Sequence, residues 1–319
     1  MPSESLVKIS ADGQLAPFNP RSASPFVNKS ISAETRRLYH RVIREFFAFV
    51  GYKHETLINA EDILHWRDDL MSRGRKASTV VLKLSIVRSF FEYLRAYGHV
   101  TLNPASTKLV SPPPIPDNLA GRALVSKEVR YLFSSPDRSK PEGARDYAII
   151  LIMSRMSLRV AEVASLKTSS ITWSHGRLII KLKVKGGRER TLPLPVDVKS
   201  AIDEYLKLDR ARRKMLNTGG AEAWLFQPHA NARTLVFDKP LSTRMIGKIV
   251  KKYAEYAGLG DLSPHDLRRT AITRALDLGE SIREVQMMSG HKDIRSLMKY
   301  DHGRENLEKN PINRLHYDD

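Results

Sequence analysis

The stretch SPHDLRRTAITRALDLGESIREVQMMSGHKDIRSLMKY, residues 263–300, carries the strongest local signals in the chain. At its start Ser263 can cap a helix, the proline after it fits the first turn, and Asp266 completes a capping box. A second Ser-x-x-Glu box begins at Ser281, and Gly290 is a typical C-terminal stop. Three successive helices are therefore predicted, over residues 264–278, 282–288 and 294–300.

Four side chains in this stretch could carry chemistry. His265 and Arg268 are three residues apart, so they share a face at the positive end of a helix and can form an anion site. The alternative is a surface helix with solvated charges. His291 follows a helix end, where a histidine also serves as a simple partner of the helix dipole. Tyr300 follows His291 by nine residues, and a tyrosine behind two histidines and an arginine in a basic chain suggests a nucleophile.

Two further cations lie upstream. Arg159 sits among apolar residues that should face a core, and Glu162 at i+3 can orient its guanidinium. The alternative is an ordinary surface ion pair, which contributes a few tenths of a kcal/mol. Lys185 precedes two glycines at a predicted hairpin tip, where lysine is also common for solubility and edge protection. Taken singly, none of these residues decides the function.

Composition limits the function classes. Lys and Arg total 53 against 35 acidic residues in 319, a net charge of +18, which favours a nucleic-acid partner over an anionic membrane surface. The basic residues are spread through structured segments, as in a folded domain that grips phosphates. The absence of cysteine excludes disulfides, a thiol nucleophile and Cys-ligated zinc. With no 18-residue apolar run and no signal-peptide pattern, we expect no membrane association and a cytoplasmic location, with the nucleoid reached through DNA.

The periodicity predicts a mainly α-helical chain with one small antiparallel sheet. Residues 31–105 show helical patterns throughout and form a small bundle. Three short strands are predicted at residues 171–173, 177–184 and 189–194, with a turn at each join. Four prolines in five positions make 106–123 an extended linker. The predicted segments are a flexible leader at 1–30, the bundle at 31–105, the linker at 106–123, a mixed α/β domain at 124–302 and a tail at 303–319.

The ordered set resembles a known family. Arg159, Lys185, His265-x-x-Arg268, His291 and Tyr300 follow the order of the tyrosine recombinase (phage integrase) family, whose active site holds Arg, Lys, His-x-x-Arg, His or Trp, and Tyr. The resemblance spans about residues 31–302. It implies that the bundle is the family's SAM-like core-binding domain and that the mixed α/β domain is catalytic.

One departure from the family pattern precedes Arg159. The family usually has Thr-Gly there, and this chain has Met156-Ser157. We interpret the family's glycine as permitting close packing. Ser157 is then expected to shift the helix slightly and affect the placement of Arg159, without abolishing activity.

The resemblance implies a site-specific DNA recombinase that forms a 3′-phosphotyrosine link and a free 5′ hydroxyl, without metal, ATP or cofactor. Tyr300 attacks, and since a tyrosine's free pKa is about 10, it needs a base, for which His265 is the candidate. Lys185 protonates the leaving 5′ oxygen. Arg159, Arg268 and His291 stabilise charge on the phosphate oxygens. The short leader points to the simple two-domain Xer-like or Cre-like type, or to an enzyme of a mobile element or virus.

Double-stranded DNA is the expected partner, clamped by the two domains mostly through phosphates. The tail resembles those that dock on a neighbouring protomer, which predicts a homo-tetramer on two DNA sites and a monomer or dimer when free. Nine basic side chains are candidate DNA contacts: Arg36, Arg37, Arg41, Arg75, Lys76, Lys83, Arg188, Arg244 and Lys248.

Two alternatives remain at this point. A type IB topoisomerase-like enzyme would use the same chemistry at one site without strand exchange, and the tail argues weakly against it. A DNA-binding protein that has lost catalysis would not need to retain Tyr300 and all five cationic or imidazole side chains.

Overall fold

The computed structural model describes residues 15–115, 121–183, 189–229 and 239–300. The chain divides into an N-terminal unit, Met1–Pro116, and a C-terminal unit, Asp117–Asp319. The described residues are mainly helical, with one antiparallel sheet of strand order β1-β2-β3, which confirms the predicted fold class.

The N-terminal unit is a bundle of four helices in its described part. Ser32 caps the second helix by accepting a hydrogen bond from the Thr35 amide, and Asn59 with Asp62 forms a capping box at the third. The apolar faces meet in an aromatic core. The helices are α1 (Ser24–Asn28), α2 (Ala33–Phe49), α3 (Ala60–Ser72) and α4 (Ala77–Ala96).

The prediction of a flexible leader at residues 1–30 is wrong for the second half of that segment. Phe18 and Phe26 are buried, and the Phe18 ring stacks on Phe47 with centroids 3.5 Å apart. This segment folds as a 3₁₀ turn and the short helix α1, too short to show a helical period in the sequence. Residues 1–14 lie outside the described part.

The first residues of the predicted linker are also held to the bundle. Val110 is fully buried, and Arg88 donates to the carbonyls of Ala105 at 2.7 Å and Val110 at 3.4 Å. Residues 106–110 therefore pack as part of the bundle, although their composition suggested an extended spacer. Residues 116–120 lie outside the described part.

The C-terminal unit surrounds one buried helix, α6. Its residues Ala148, Ile149 and Ile152 are fully buried, and it packs against α8 and α10. A helix with a long apolar stretch covered by neighbouring helices belongs in a core. The described helices are α5 (Ser126–Ser134), α6 (Pro141–Met156), α7 (Val160–Ala164), α8 (Val196–Met215), α9 (Thr243–Tyr256), α10 (Pro264–Asp277), α11 (Ile282–Ser289) and α12 (Arg295–Met298).

The predicted strands are confirmed as β1 (Ile171–Ser174), β2 (Arg177–Lys183) and β3 (Glu189–Pro193). Ser174 pairs with Arg177 across a two-residue turn in which His175 and Gly176 both have positive φ. The β2–β3 turn, with Lys185, lies outside the described residues.

The last predicted helix is shorter than expected. Only Arg295–Met298 is helical, and Tyr300 follows it after one residue. No described helix is long and apolar enough to cross a membrane.

Candidate active site

The end of α6 fixes the first part of the site. Ser157 is fully buried and has φ +51, so the chain turns there in a left-handed conformation. This turn points the Ser157 carbonyl at Arg268, whose Nη1 donates to it. The left-handed backbone, which glycine adopts freely, therefore gives a second reason for glycine at this position, beside the close packing of this fully buried residue.

Arg159 follows as the residue that precedes α7. Its guanidinium donates to Glu162 Oε1 at 3.0 Å, and its backbone amide donates to Glu162 Oε2 at 2.8 Å. Glu162 is buried, whereas 42% of the Arg159 side chain remains exposed. Glu162 thus orients Arg159, as the sequence suggested, and leaves part of its guanidinium free to meet a ligand.

The start of α10 holds His265 and Arg268. Asp266 Oδ2 accepts from the amide of Ser263 at 2.8 Å and from its hydroxyl at 2.6 Å, which fixes the helix start. Arg268 is buried beside Arg159, and burial first, then Arg159, lowers its pKa to about 10. Burial and the nearby guanidiniums also lower the pKa of His265. At neutral pH the imidazole of His265 is therefore mainly neutral and able to accept a proton.

Three consecutive carbonyls at the end of α11 each accept from a different arginine; we call Met288, Ser289 and Gly290 the α11 turn. Arg190 Nη1 reaches the first carbonyl at 3.1 Å, Arg268 Nη2 the second at 2.8 Å, and Arg159 Nη2 the third at 3.0 Å. The last carbonyls of a helix lack partners within the helix, and cations there are favourable. These bonds connect β3, α10 and the start of α7 at one point.

His291 leaves this turn in a defined orientation. Its Nδ1 lies 2.8 Å from Ser289 Oγ, and its Nε2 lies 3.3 Å from Arg268 Nη2. A guanidinium can only donate, so the neutral ring carries its proton on Nδ1 and donates to the serine hydroxyl. Burial first, then Arg268 and Arg159, lowers the pKa of His291 to about 4. The second influence is an excess of positive charge: Arg159 and Arg190 both pair with the carboxylate of Glu162, and Arg268 lies beside them.

Tyr300 lies next to His265. Its hydroxyl is 3.4 Å from His265 Nε2, and the residue is 4% exposed. Its ring packs with Ile272, Val285 and Leu297. The phenol is thus held by an apolar cluster at a long hydrogen-bonding distance from a mainly neutral imidazole, which is a geometry that allows proton transfer.

The structure therefore brings together five of the six predicted catalytic side chains, and Lys185 lies outside the described residues. Of the candidate DNA contacts, Arg37, Arg41, Arg75, Lys76, Arg244 and Lys248 are exposed, and Arg36 is half-buried. Lys83 forms an ion pair with Glu45 and only 13% of its side chain is exposed, so it is poorly available to DNA. Arg188 lies outside the described part.

No group of three or more His, Cys, Asp or Glu side chains in the described ranges is arranged to hold a metal ion. The anion-binding groups at the site are guanidiniums and imidazoles.

Two site residues were missed by the sequence reasoning. Ser289 contacts His291, and Arg190 joins Glu162 to the α11 turn. A signal for Arg190 exists: it lies on the same face of β3 as the buried Leu192, so an arginine stands at an inward-facing position of a strand. Ser289 gives no such signal.

The chain matches two family descriptions. Residues 122–306 match the phage integrase family, and residues 26–98 match the phage integrase N-terminal SAM-like domain. The tyrosine recombinase XerC of Herpetosiphon aurantiacus is 30% identical over 280 residues, which cover 86% of this chain and 87% of that protein.

Solved structures share the fold. The XerH site-specific recombinase bound to palindromic difH substrate has a TM-score of 0.67 at 18% identity and covers 90% of this chain and 82% of its own. A lambda integrase tetramer bound to a Holliday junction has a TM-score of 0.65 at 18% identity, covering 89% and 77%. At these identities the likeness is one of fold.

Proposed function

Because the chain belongs to the phage integrase family of tyrosine recombinases, we propose that it cuts and rejoins double-stranded DNA at specific sites through a covalent bond to Tyr300. The observation that carries the assignment of the nucleophile is the 3.4 Å distance between the Tyr300 hydroxyl and His265 Nε2, beside a cluster of guanidiniums. Eleven tyrosines occur in the chain, and this one has a base and an anion site next to it.

The phosphate is bound first. The guanidiniums of Arg159 and Arg268 match phosphate oxygens in shape and charge, and the cation excess around Glu162 favours an anion. A bound phosphate opposes the repulsion that lowers the pKa of His291. The imidazole then takes up a proton at Nε2, or shifts its proton there, and donates to an equatorial oxygen.

Cleavage follows by in-line attack. The Tyr300 oxygen forms a bond to phosphorus as the bond to the 5′ oxygen breaks, and His265 takes the phenol proton. Arg159, Arg268 and His291 stabilise the charge that develops on the equatorial oxygens. Lys185, assigned from sequence alone, supplies a proton to the leaving 5′ oxygen. The phosphotyrosine bond conserves the energy of the phosphodiester, so a 5′ hydroxyl can reverse the step without ATP.

We propose that two domains divide this work, with residues 31–105 binding DNA and residues 124–302 carrying the chemistry. The exposed pairs Arg37 with Arg41 on α2, and Arg244 with Lys248 on α9, each lie on one helix face and suit phosphate contacts. A DNA-acting enzyme of this kind would work in the cytoplasm, at the nucleoid.

We also propose assembly as a tetramer on two DNA sites, with the tail at 303–319 docking on a neighbouring protomer. An open apolar groove of about 520 Å³ lies in the C-terminal unit, lined by Val129, Phe133, Ala271, Val285 and Met288 among others. The tail carries Leu307, Ile312 and Leu315, which could fill such a groove. Deleting residues 304–319 should weaken assembly on DNA more than binding of a single site, measured by sedimentation and by gel shift; equal assembly by the truncated protein would contradict the proposal.

The test of the nucleophile begins with the DNA site, which is selected from random duplexes by binding to the full chain. A duplex nicked near the cleavage position then traps the covalent product. The adduct is expected with the native chain and is expected to be absent with Tyr300→Phe. Trypsin should release it on the peptide of residues 300–304, since the protease cleaves after Lys299 and after Arg304.

The matched control is Tyr256→Phe, which removes a hydroxyl from a tyrosine that is 68% exposed on α9 and should leave adduct formation unchanged. An adduct that persists in Tyr300→Phe would overturn the assignment.

A further inference from the structure

The α11 turn is held by three arginines, and two of them already have a role in the proposed function. Arg268 and Arg159 hold the second and third carbonyls and face the phosphate site. Arg190 holds the first carbonyl, at Met288, and has no role in the reaction so far. It comes from β3, and only 14% of its side chain is exposed.

We propose that Arg190 is a positioning residue, which keeps Arg159 and His291 in the geometry that binds the scissile phosphate. The inference rests on the proposed function. Arg190 Nη2 donates to Glu162 Oε2 at 3.3 Å, and the other oxygen of the same carboxylate binds Arg159 at 3.0 Å. A change at Arg190 is therefore transmitted to Arg159 through one shared carboxylate.

The same guanidinium supports the turn that leads to His291. Gly290 has φ +66, and a Cβ at that position would overlap Arg190 Nη1 and lie 2.9 Å from Cζ. The guanidinium thus packs directly against the backbone of the residue that precedes His291. Its removal would leave the Met288 carbonyl without this donor and open a space beside the turn.

Arg190 itself is poorly placed to bind a ligand. Both Nη atoms are engaged, and Nε is buried and has no hydrogen-bond partner in the part of the chain that the structure describes. Burial, the largest influence, lowers the pKa of its guanidinium. Arg190 therefore acts indirectly: it positions Arg159 and His291, which stabilise the charge on the phosphate oxygens. It has no part in protonating the leaving 5′ oxygen.

Three substrates can separate an effect of Arg190 on the phosphate oxygens from an effect on the leaving oxygen. Single-turnover cleavage is measured at saturating protein on the selected duplex with a normal phosphodiester, with a methylphosphonate that lacks one charged oxygen, and with a 5′-bridging phosphorothiolate. The phosphorothiolate releases a thiolate, which needs no acid because its pKa is low. Arg190→Ala is expected to slow cleavage of the phosphodiester by about 10²-fold, since a displacement of about 1 Å has effects of that order.

The pattern across substrates carries the inference. The loss in Arg190→Ala should persist on the phosphorothiolate and become at least about tenfold smaller on the methylphosphonate, where less charge needs stabilisation. Arg177→Ala, which removes an exposed arginine from β2, should leave all three rates and their ratios unchanged. If Arg190→Ala does not fold, as judged by its circular dichroism, Arg190→Lys serves, because a single ammonium cannot reach both Glu162 and the Met288 carbonyl.

Three results would overturn the inference: an unchanged rate on the phosphodiester, an equal loss on all three substrates, or a rate restored by the phosphorothiolate. The native chain is measured first. If it forms no adduct on the selected DNA, the proposed function itself fails. If the native chain cleaves and the Arg190 variant cleaves equally well, only the inference about Arg190 fails.

Discussion

The aromatic core of the N-terminal unit and the α11 turn of the C-terminal unit are both buried, but different forces hold them. In the core, Phe46, Phe47 and Phe91 are fully buried and meet at aromatic contact distances, with apolar residues on all sides. At the α11 turn the contacts are polar, and guanidiniums from three separate elements bind consecutive carbonyls. The first region depends on burying apolar area, and the second on satisfying charges whose partners are distant in sequence.

The two regions therefore respond to different changes: the aromatic core to lost apolar volume, and the α11 turn to lost charge. In an apolar core, a shortened side chain leaves a cavity and lowers stability. The cluster around Glu162 carries surplus positive charge that no protein carboxylate balances within the described part of the site, and this surplus is what an anionic substrate can use.

The largest effect is expected in the apolar core. Leu84 is 1% exposed on α4, whereas Leu82 on the same helix is 46% exposed. Leu84→Ala should lower the free energy of unfolding of the N-terminal unit by about 2–5 kcal/mol, because it leaves a cavity. Urea unfolding is followed by Trp66 fluorescence in a background with Trp173→Phe and Trp224→Phe. Leu82→Ala is the control and should change stability by less than about 0.5 kcal/mol; equal losses would show that burial does not control this region.

A smaller loss is expected when the shared carboxylate is removed. Glu162→Gln leaves Arg159 and Arg190 with weaker acceptors and should destabilise the C-terminal unit by about 1–3 kcal/mol, discounted because Arg159 is partly exposed. Asp197→Asn breaks the exposed pair with Arg155 and should cost less than about 1 kcal/mol. Thermal unfolding measured by circular dichroism compares the two variants. A larger loss of stability in Asp197→Asn would show that the ion pairs of Glu162 are worth no more than an exposed surface pair.

Ser157→Gly is expected to stabilise the C-terminal unit by about 1 kcal/mol. The substitution removes strain at φ +51 and a buried hydroxyl without a partner in the described residues, while the carbonyl bound by Arg268 remains. Asn217→Gly is the control, since asparagine tolerates its φ of +53 and little should be gained. Chemical unfolding of both variants decides, and a Ser157→Gly protein less stable than the native chain would contradict the strain argument.

The smallest effect concerns how His291 makes stability depend on pH. His291 has a pKa of about 4 in the folded chain against an ordinary value of 6.5, so the unfolded chain binds a proton that the folded chain does not. Its contribution to stability is complete above pH 6.5 and is lost as pH falls towards 4. Between these pH values the unfolding free energy of His291→Gln should fall less steeply with acidification than that of the native chain. The difference in slope should correspond to the uptake of less than one proton on unfolding. An unchanged slope would mean that the cluster does not hold His291 neutral.

Much of the site could be found in the sequence because the order of its members resembles the family pattern and several of them lie on predictable elements. The capping boxes at Ser263 and Ser281 and the stop at Gly290 set the helices that carry His265 and end before His291. Arg190 and Ser289 were missed because their roles depend on partners across the fold, and no periodic pattern reports such a partner. The leader was misjudged for a related reason: Phe18 and Phe26 are anchored by a core that other helices supply.

The sequence by itself determined the mainly helical class and the strand and helix order, because these depend on local periodicity and caps. Its ordered basic, imidazole and phenol side chains were recognised through their resemblance to the family pattern. The tertiary structure alone decided that Ser157 takes a left-handed turn, that three arginines meet at the α11 turn, and that Tyr300 reaches His265. The physical reason is that buried charges and helix-end carbonyls must find partners wherever the fold provides them, and those partners are set by packing between elements distant in the chain.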